Sequence, residues 1–548
     1  MGDIAPVAGA AVIRHQTGPI IAVLVDPGLD HLAIAIGIAG AHPEIFALPG
    51  AAAGLRIMGK FSGAGQGRGI DGGILCQFRV PDQFRCADPC PDLIMGAHHR
   101  ALQAAVAAGL GRHAGAGLDD RDRGLPVRGR RGASRNGWRD QKDGAKGADN
   151  MHEAVSTRKK MNGSDMGPLA LYIHWPFCVS KCPYCDFNSH VREQVDVAAW
   201  QDALLADMAH EAALVPGRKL SSIFFGGGTP SLMPPELVEA LIAAAERHWG
   251  FADAIEITLE ANPSSVEAAN FHDLAGAGVN RVSLGLQALD DETLGFLGRA
   301  HDVAEGLAAL DIAQRAFGRV SFDLIYARPG QTLDAWQAEL ERALGFGTGH
   351  LSLYQLTIEP GTRFETLVRT GVLVPADDDH CADLFELTRD IMTAAGRPAY
   401  EISNHARAGQ ESRHNLTYWR YQDYVGIGPG AHGRRLAQAT ERHKKPENFL
   451  SGVARNGSGL KVEQPLSPQT RAMEALMMGL RLAEGVDLEA LEAKTGLTAA
   501  AMVDGGEVQK LADMGFVERR DGRLMVQAKG MPLLDALLPK IIADVLRT

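Results

Sequence analysis

The stretch "LALYIHWPFCVSKCPYCDFNSH", residues 169–190, places three cysteines, Cys178, Cys182 and Cys185, within eight positions. The apolar run 169–175 ahead of them reads as a buried strand. On a helix the spacing i, i+4, i+7 would align three thiols in a buried stripe. Pro176 and Pro183 argue against that, because proline removes a backbone donor and clashes with the preceding turn. The better reading is a loop that turns all three thiols toward one object. One such object is a zinc ion, completed by His174, Asp186 or His190. The other is a [4Fe-4S] cluster with three protein ligands and its fourth iron left open, as a catalytic or ligand-binding centre requires. No fourth cysteine follows, and Phe187 stands two positions after Cys185.

Outward from this loop the chain repeats. Apolar runs bounded by turn residues recur at 169–175, 221–227, 254–260, 281–287, 320–326 and 350–356, with helical stretches such as "AAWQDALLADMAHEAAL" and "PPELVEALIAAAERHW" between them. Six strands separated by helices predict right-handed crossovers and a parallel sheet. The fold class is therefore α/β, a partial parallel (β/α)6 barrel over residues 166–380, with chemistry at the C-terminal ends of the strands. Residues 381–464 are expected to connect this barrel to a terminal module, 465–548. There "SPQTRAMEALMMGLRLAEGVDLEALEAKTG" reads as two helices and "AAAMVDGGEVQKLADMG" as a third. "FVERRDGRLMV" then reads as a hairpin turned at Asp521-Gly522, giving a winged-helix-like domain. Such a fold alone does not establish DNA binding.

The 548 residues carry a net charge of −11, which argues against a protein that lives on nucleic-acid phosphates. No apolar run is long enough to predict a transmembrane helix. Seven cysteines, an odd and low count, suit a reducing compartment. Residues 1–165 differ in character, dominated by Ala, Gly and Arg without a steady period. The expectation there is a disordered extension or a start codon set too early, with Met151, Met161 and Met166 as alternatives. Cys86 and Cys90 in that segment read as a chance pair.

C-x3-C-x2-C after the first strand of such a barrel resembles the radical S-adenosylmethionine (SAM) superfamily. That resemblance implies that the open iron binds the methionine part of SAM. "GGGTPS" (226–231) follows the second strand, and its glycines permit close backbone approach. The resemblance makes Gly227, Gly228 and Thr229 SAM contacts. It does the same for Glu260 of "LEANP", for Gln287 and Arg299 of "SLGLQALDDETLGFLGRAHD", for Asp323 of "FDLIYARPGQT", and for Tyr172 and Tyr184 beside the cysteines. In order, at successive strand ends, these match the oxygen-independent coproporphyrinogen dehydrogenase family and its relatives.

Two subgroups divide at Phe187. The dehydrogenase pattern has a further cysteine there. The heme chaperone family HemW reads "CPYCDFNSH", as residues 182–190 do, and carries the motif HNxxYW, matched by "HNLTYW" (414–419). This resemblance implies a heme chaperone with a [4Fe-4S] cluster, SAM and heme, and His414 as a candidate heme ligand. The alternative for that motif is a capping His and Asn with a core Tyr-Trp pair. "GIGPGAHG" accompanies it, with His432 expected in a loop that reaches the SAM site. The resemblance further implies a cytoplasmic protein that visits the membrane periphery, a heme-accepting respiratory protein as partner, and a homodimer. Two other functions compete: coproporphyrinogen III dehydrogenase, and a DNA-binding regulator with the cluster as sensor. Phe187 and HNLTYW favour the chaperone over the first, and the acidic charge disfavours the second.

Overall fold

The computed structural model describes residues 167–547 and, ahead of them, three short strands. The chain divides into two units, Met1–Cys90 and Pro91–Thr548. In the first, Ala10–Ile13, Ile21–Leu24 and Ala33–Ile36 pair antiparallel in chain order. The rest of the expectation for residues 1–165 lies outside the described residues.

In the second unit the six predicted strands form. They are β1 (Leu169–Trp175), β2 (Leu220–Gly227), β3 (Phe251–Ala261), β4 (Arg281–Gln287), β5 (Arg319–Tyr326) and β6 (His350–Gln355). Each pairs parallel with the next. Their helices start where the sequence supplies caps. Asp196 accepts from the Ala199 amide at the start of α1 (Val197–Leu214), Pro235 opens α2 (Pro235–Trp249), and Asp302 and Thr332 cap α3 (Val303–Ala316) and α4 (Leu333–Gly345). Such caps satisfy amides that a helix leaves without partners. Alternation then sorts the strands. Leu171, Ile173, Ile223, Phe225, Leu259, Val282, Leu284, Phe322 and Leu324 join one apolar core. Tyr172, His174, Ser222, Thr258, Glu260, Ser283 and Asp323, at the intervening positions, make the opposite face polar.

The sheet is larger than the sequence pattern suggests. It has eleven strands, and residues expected to be a connection supply five of them. β7 (Asn404–Ala406) adds antiparallel to β6, and β8 (Tyr424–Ile427) adds parallel to β1. β9 (His432–Arg435), β10 (Gln438–Arg442) and β11 (Leu460–Pro465) continue as an antiparallel meander. "HGRR" and "QATER" lack an apolar alternation because ion pairs bury their arginines. Arg442 meets Glu211 at 2.6 Å and Asp207 at 3.3 Å, and all three are fully buried. Arg435 pairs with Glu211 too, and with Glu463 at 2.8 Å. Burial alone would raise the Glu211 carboxyl, but the Arg442 and Arg435 guanidiniums outweigh it and hold its pKa low. Asp207 also accepts from the amides of Gly428 and Gly459, at 3.2 and 3.0 Å. Thus α1 holds the meander through two carboxylates one turn apart.

The terminal module has its own core, which includes Leu476, Leu491, Leu511, Leu524 and Leu538, with Phe385 of α5 (Asp378–Ala394) reaching into it. The predicted hairpin is present, Val517–Arg520 against Arg523–Val526, with positive φ at both Asp521 and Gly522 as a type I′ turn demands. The single helix expected over "AAAMVDGGEVQKLADMG" is two, Ala499–Met502 and Gly505–Asp513. Val503 is extended between them, and Asp504 caps the second by accepting from the Glu507 amide. Among the described residues no helix is long and apolar enough to cross a membrane.

Candidate functional site

The cysteine loop leaves and returns at one place. Phe177–Cys178 pairs in parallel with His190–Val191, so the eleven residues between form a closed excursion at the end of β1. Cys182 and Cys185 are drawn together by the Cys185 amide, which donates to the Cys182 carbonyl at 3.2 Å. All three thiols are free and half-buried. Each has a polar neighbour from a different direction. Thr229 donates to Cys178 Sγ at 3.5 Å, Arg299 Nη1 approaches Cys182 Sγ at 3.4 Å, and Ser189 Oγ lies 3.8 Å from Cys185 Sγ. Burial pushes the Cys178 thiol up, the Thr229 donor counters, and the neighbouring cysteines add to the rise. Cys185 is raised for the same first reason. Thiols so placed favour a cation that draws off their protons. A tetrahedral zinc would need four ligands on one ion. A cluster instead takes each thiolate on a different iron. His174 offers zinc no fourth ligand. Its Nδ1 meets the Tyr172 hydroxyl and its Nε2 the Asn188 carbonyl, each at 2.9 Å.

The glycine strip after β2 zips onto the loop. The Gly228 amide donates to the Trp175 carbonyl at 2.7 Å and the Thr229 amide to the Phe177 carbonyl at 2.8 Å. A Cβ at Gly228 would stand 2.7 Å from the Phe177 oxygen, and Gly227 has φ +117° against His174. Only glycine permits this approach.

Polar groups from the next strands gather beside the loop. Glu260, near the end of β3, accepts from the Gly227 amide at 3.2 Å. Arg299 reaches Asn262 Oδ1 at 2.6 Å, the Gly285 carbonyl at 3.0 Å and the Tyr184 hydroxyl at 3.4 Å. Asn262 in turn donates to Thr229 at 3.1 Å. Asn262 lies inside the quoted "LEANP", yet an asparagine before a proline reads as a turn residue, and its bridging role is visible only in three dimensions. Two buried atoms here lack partners, Gln287 Oε1 and Arg299 Nε. Gln287 has φ +69°, unusual for a side-chain-bearing residue. Orphaned buried polar atoms of this kind point to an occupant that completes them.

Burial pushes the Glu260 carboxyl up to about 8, with repulsion from Asp323 adding to it. Asp323 is pushed up to about 6 by burial, against donors on Ser352 and Ser283. A carboxyl raised in this way keeps its proton in the folded chain after the unfolded chain has lost it. Its contribution to stability is therefore full below the ordinary value of 4.5 and is lost as pH rises to about 8. Glu260→Gln is expected to remove that part of the slope. Thermal midpoints should differ little from the unaltered chain near pH 5 and most near pH 8, with the amide variant the more stable. An unchanged slope would show that Glu260 is ionised in the fold.

His414, the candidate heme ligand of the HNLTYW motif, lies in α6 (Arg413–Trp419) and is buried. Its Nδ1 meets Ser222 Oγ at 3.0 Å, its Nε2 the Tyr418 hydroxyl at 2.8 Å, and its ring stacks on Phe224 at 5.0 Å. Burial lowers its pKa to about 3, so it is a neutral core histidine with both nitrogens engaged. His432 opens strand β9 and is buried, rather than lying in a loop.

Residues 172–343 match the radical SAM superfamily, and residues 466–533 match the HemN C-terminal domain. Heme chaperone HemW of Escherichia coli (strain K12) is 41% identical over 387 residues, covering 69% of this chain and 99% of that protein. The chain belongs to the HemW family. HemW of Haemophilus influenzae is likewise 41% identical, over 389 residues and 98% of its length. A mitochondrial radical SAM domain-containing protein 1 from Bos taurus is 37% identical, over 68% of this chain and 87% of that one. Coproporphyrinogen III oxidase (HemN) of E. coli shares the fold, with a TM-score of 0.59 at 23% identity over 72% of this chain and 93% of its own. For a HemW-family chain the position of Phe187 is informative. The residue is 46% exposed.

Proposed function

We propose that this protein is a heme chaperone that carries a [4Fe-4S] cluster and SAM and passes heme to an acceptor protein. The observation that carries the cofactor part is the pair of orphaned buried atoms, Gln287 Oε1 and Arg299 Nε, beside three thiols that already have polar neighbours. Cys178, Cys182 and Cys185 would hold three irons. Gly227, Gly228 and Thr229 would lie along SAM, Glu260 toward ribose hydroxyls or an ammonium, and Tyr172, Tyr184, Gln287, Arg299 and Asp323 around it. A cluster bound there would supply an electron to the sulfonium. The chain's own part is positional. Arg299 and Thr229 donate toward sulfur, which favours the thiolate form, and Asn262 ties both together. The acceptor of this reading is a respiratory protein, reached from the cytoplasm at the membrane periphery, with a homodimer as the working state.

Phe187 directs the reading toward transfer rather than turnover. A thiol at this position belongs to the dehydrogenase pattern, and an exposed ring cannot replace its chemistry. The test pairs two measurements on the anaerobically reconstituted, reduced, SAM-loaded protein. Hemin titration should show saturable binding, and coproporphyrinogen III should yield no protoporphyrinogen. Robust conversion would return the protein to the dehydrogenases.

A further inference from the structure

Ser264 and Glu267 have the spacing of a capping box, in which the glutamate turns back to the amide of the capping residue. Ser264 does its half. Its Oγ accepts from the Glu267 amide at 3.3 Å, at the start of the short helix Ser265–Ala269. The glutamate goes elsewhere. Its Oε2 accepts from the Asn262 amide at 2.8 Å and from the Ser231 hydroxyl, and its Oε1 lies 3.4 Å from Ser264 Oγ. Ser231 belongs to the turn after the glycine strip, Pro230–Leu232, and Asn262 directly follows β3. One carboxylate thus pins two turns together. Glu267 and Ser231 are both buried, and these donors are neutral, so the carboxylate keeps much of its desolvation cost.

The Asn262 side chain is committed at both ends. Its Oδ1 accepts from Arg299 Nη2 at 2.6 Å, and its Nδ2 donates to Thr229 Oγ1 at 3.1 Å. Those two residues are the ones that reach sulfur, Arg299 at Cys182 and Thr229 at Cys178. Cys185, whose polar neighbour is Ser189, stands outside this relay.

We propose that Glu267 is a positioning residue that sets the reduction potential of the cluster, by holding Asn262 and Ser231 so that Thr229 and Arg299 stay aimed at two of the three ligand sulfurs. The proposal rests on the cluster reading above. Donors to sulfur stabilise the reduced, more negatively charged cluster and so raise its potential. Releasing the two turns loosens both donors, and the potential should fall. A carboxylate acting by charge alone would do the reverse, because removing a negative charge favours the electron. The sign of the shift separates the two.

The full chain is reconstituted anaerobically without SAM, since Thr229 and Arg299 are also SAM contacts in this reading. Its cluster midpoint is followed by the electron paramagnetic resonance signal of the reduced form. Glu267→Ala is expected to lower the ratio of reduced to oxidised cluster at a fixed potential about tenfold, which is about 59 mV for one electron. Asn262→Ala should do the same, and the double variant should fall no further, because both changes act through one residue. Glu267→Gln should stay near the unaltered value, since its amide oxygen takes the place of Oε2. Iron, sulfide and thermal midpoint report loading and folding. If Glu267→Ala does not load, Ser231→Ala takes its place with the same expected direction. A midpoint that rises in Glu267→Ala, or that is unmoved in Asn262→Ala, overturns the relay while the cluster reading stands. An unaltered chain that takes up no iron and sulfide sinks both.

Discussion

Replacing any one of Cys178, Cys182 or Cys185 with Ser is expected to leave the anaerobically reconstituted protein without a stable four-iron cluster. In the proposed cluster each thiolate would hold one iron, and among the described residues no further thiol lies in this loop to replace it. The only other cysteine among the described residues, Cys381, sits in α5 and packs against the core, where burial pushes its thiol up to about 11. A serine hydroxyl is a poor ligand because it does not ionise as a thiol does. Cys381→Ala should therefore load normally. Cys76, Cys86 and Cys90 lie outside the described residues, and their replacement is expected to be neutral. Iron and acid-labile sulfide per chain decide the matter. Near-stoichiometric iron and sulfide in a Cys182→Ser variant, or zinc without sulfide in the unaltered chain, would refute the three-thiolate cluster.

Arg442→Leu should be the most damaging single change away from the cysteines. Arg442 is completely buried and is held by Asp207 and Glu211, themselves completely buried. Removing it leaves Glu211 with Arg435 and strips Asp207 of its guanidinium, keeping only the Gly428 and Gly459 amides. Breaking a buried pair in this way costs about 3–5 kcal/mol, because the stranded carboxylate stays desolvated. The damage should reach the cysteine loop. Asp207 anchors Gly428, and Asn188 of the loop donates to the Pro429 carbonyl at 2.9 Å and the Lys444 carbonyl at 3.0 Å. The measurement is the thermal midpoint together with cluster retention against a chelator. Adding Asp207→Asn should recover part of the loss, since the amide no longer demands a counter-charge. A midpoint unchanged by Arg442→Leu would mean that the meander does not depend on this network.

Much of the architecture is written in local pattern. The six core strands appear within a few residues of their predicted ends because each is an apolar run between turn residues, and alternation decides which face is buried. The three cysteines could be singled out because proline excludes the helix that would make them an ordinary stripe. The I′ turn at Asp521-Gly522 is equally local, since it needs only two residues that tolerate positive φ. What the sequence alone could not carry depends on partners that only the fold brings together, some of them hundreds of positions away. β9 and β10 lie within the expected connection until Asp207 and Glu211 arrive from α1 to neutralise their arginines. Asn262 is a turn asparagine until Arg299 and Thr229 meet it, and the partners of His414, Ser222 and Tyr418, appear only in the fold. Spacing determines which residue types stand near one another along the chain. Only the fold decides which of their polar atoms are already satisfied, and an atom that is satisfied has little left to offer a ligand.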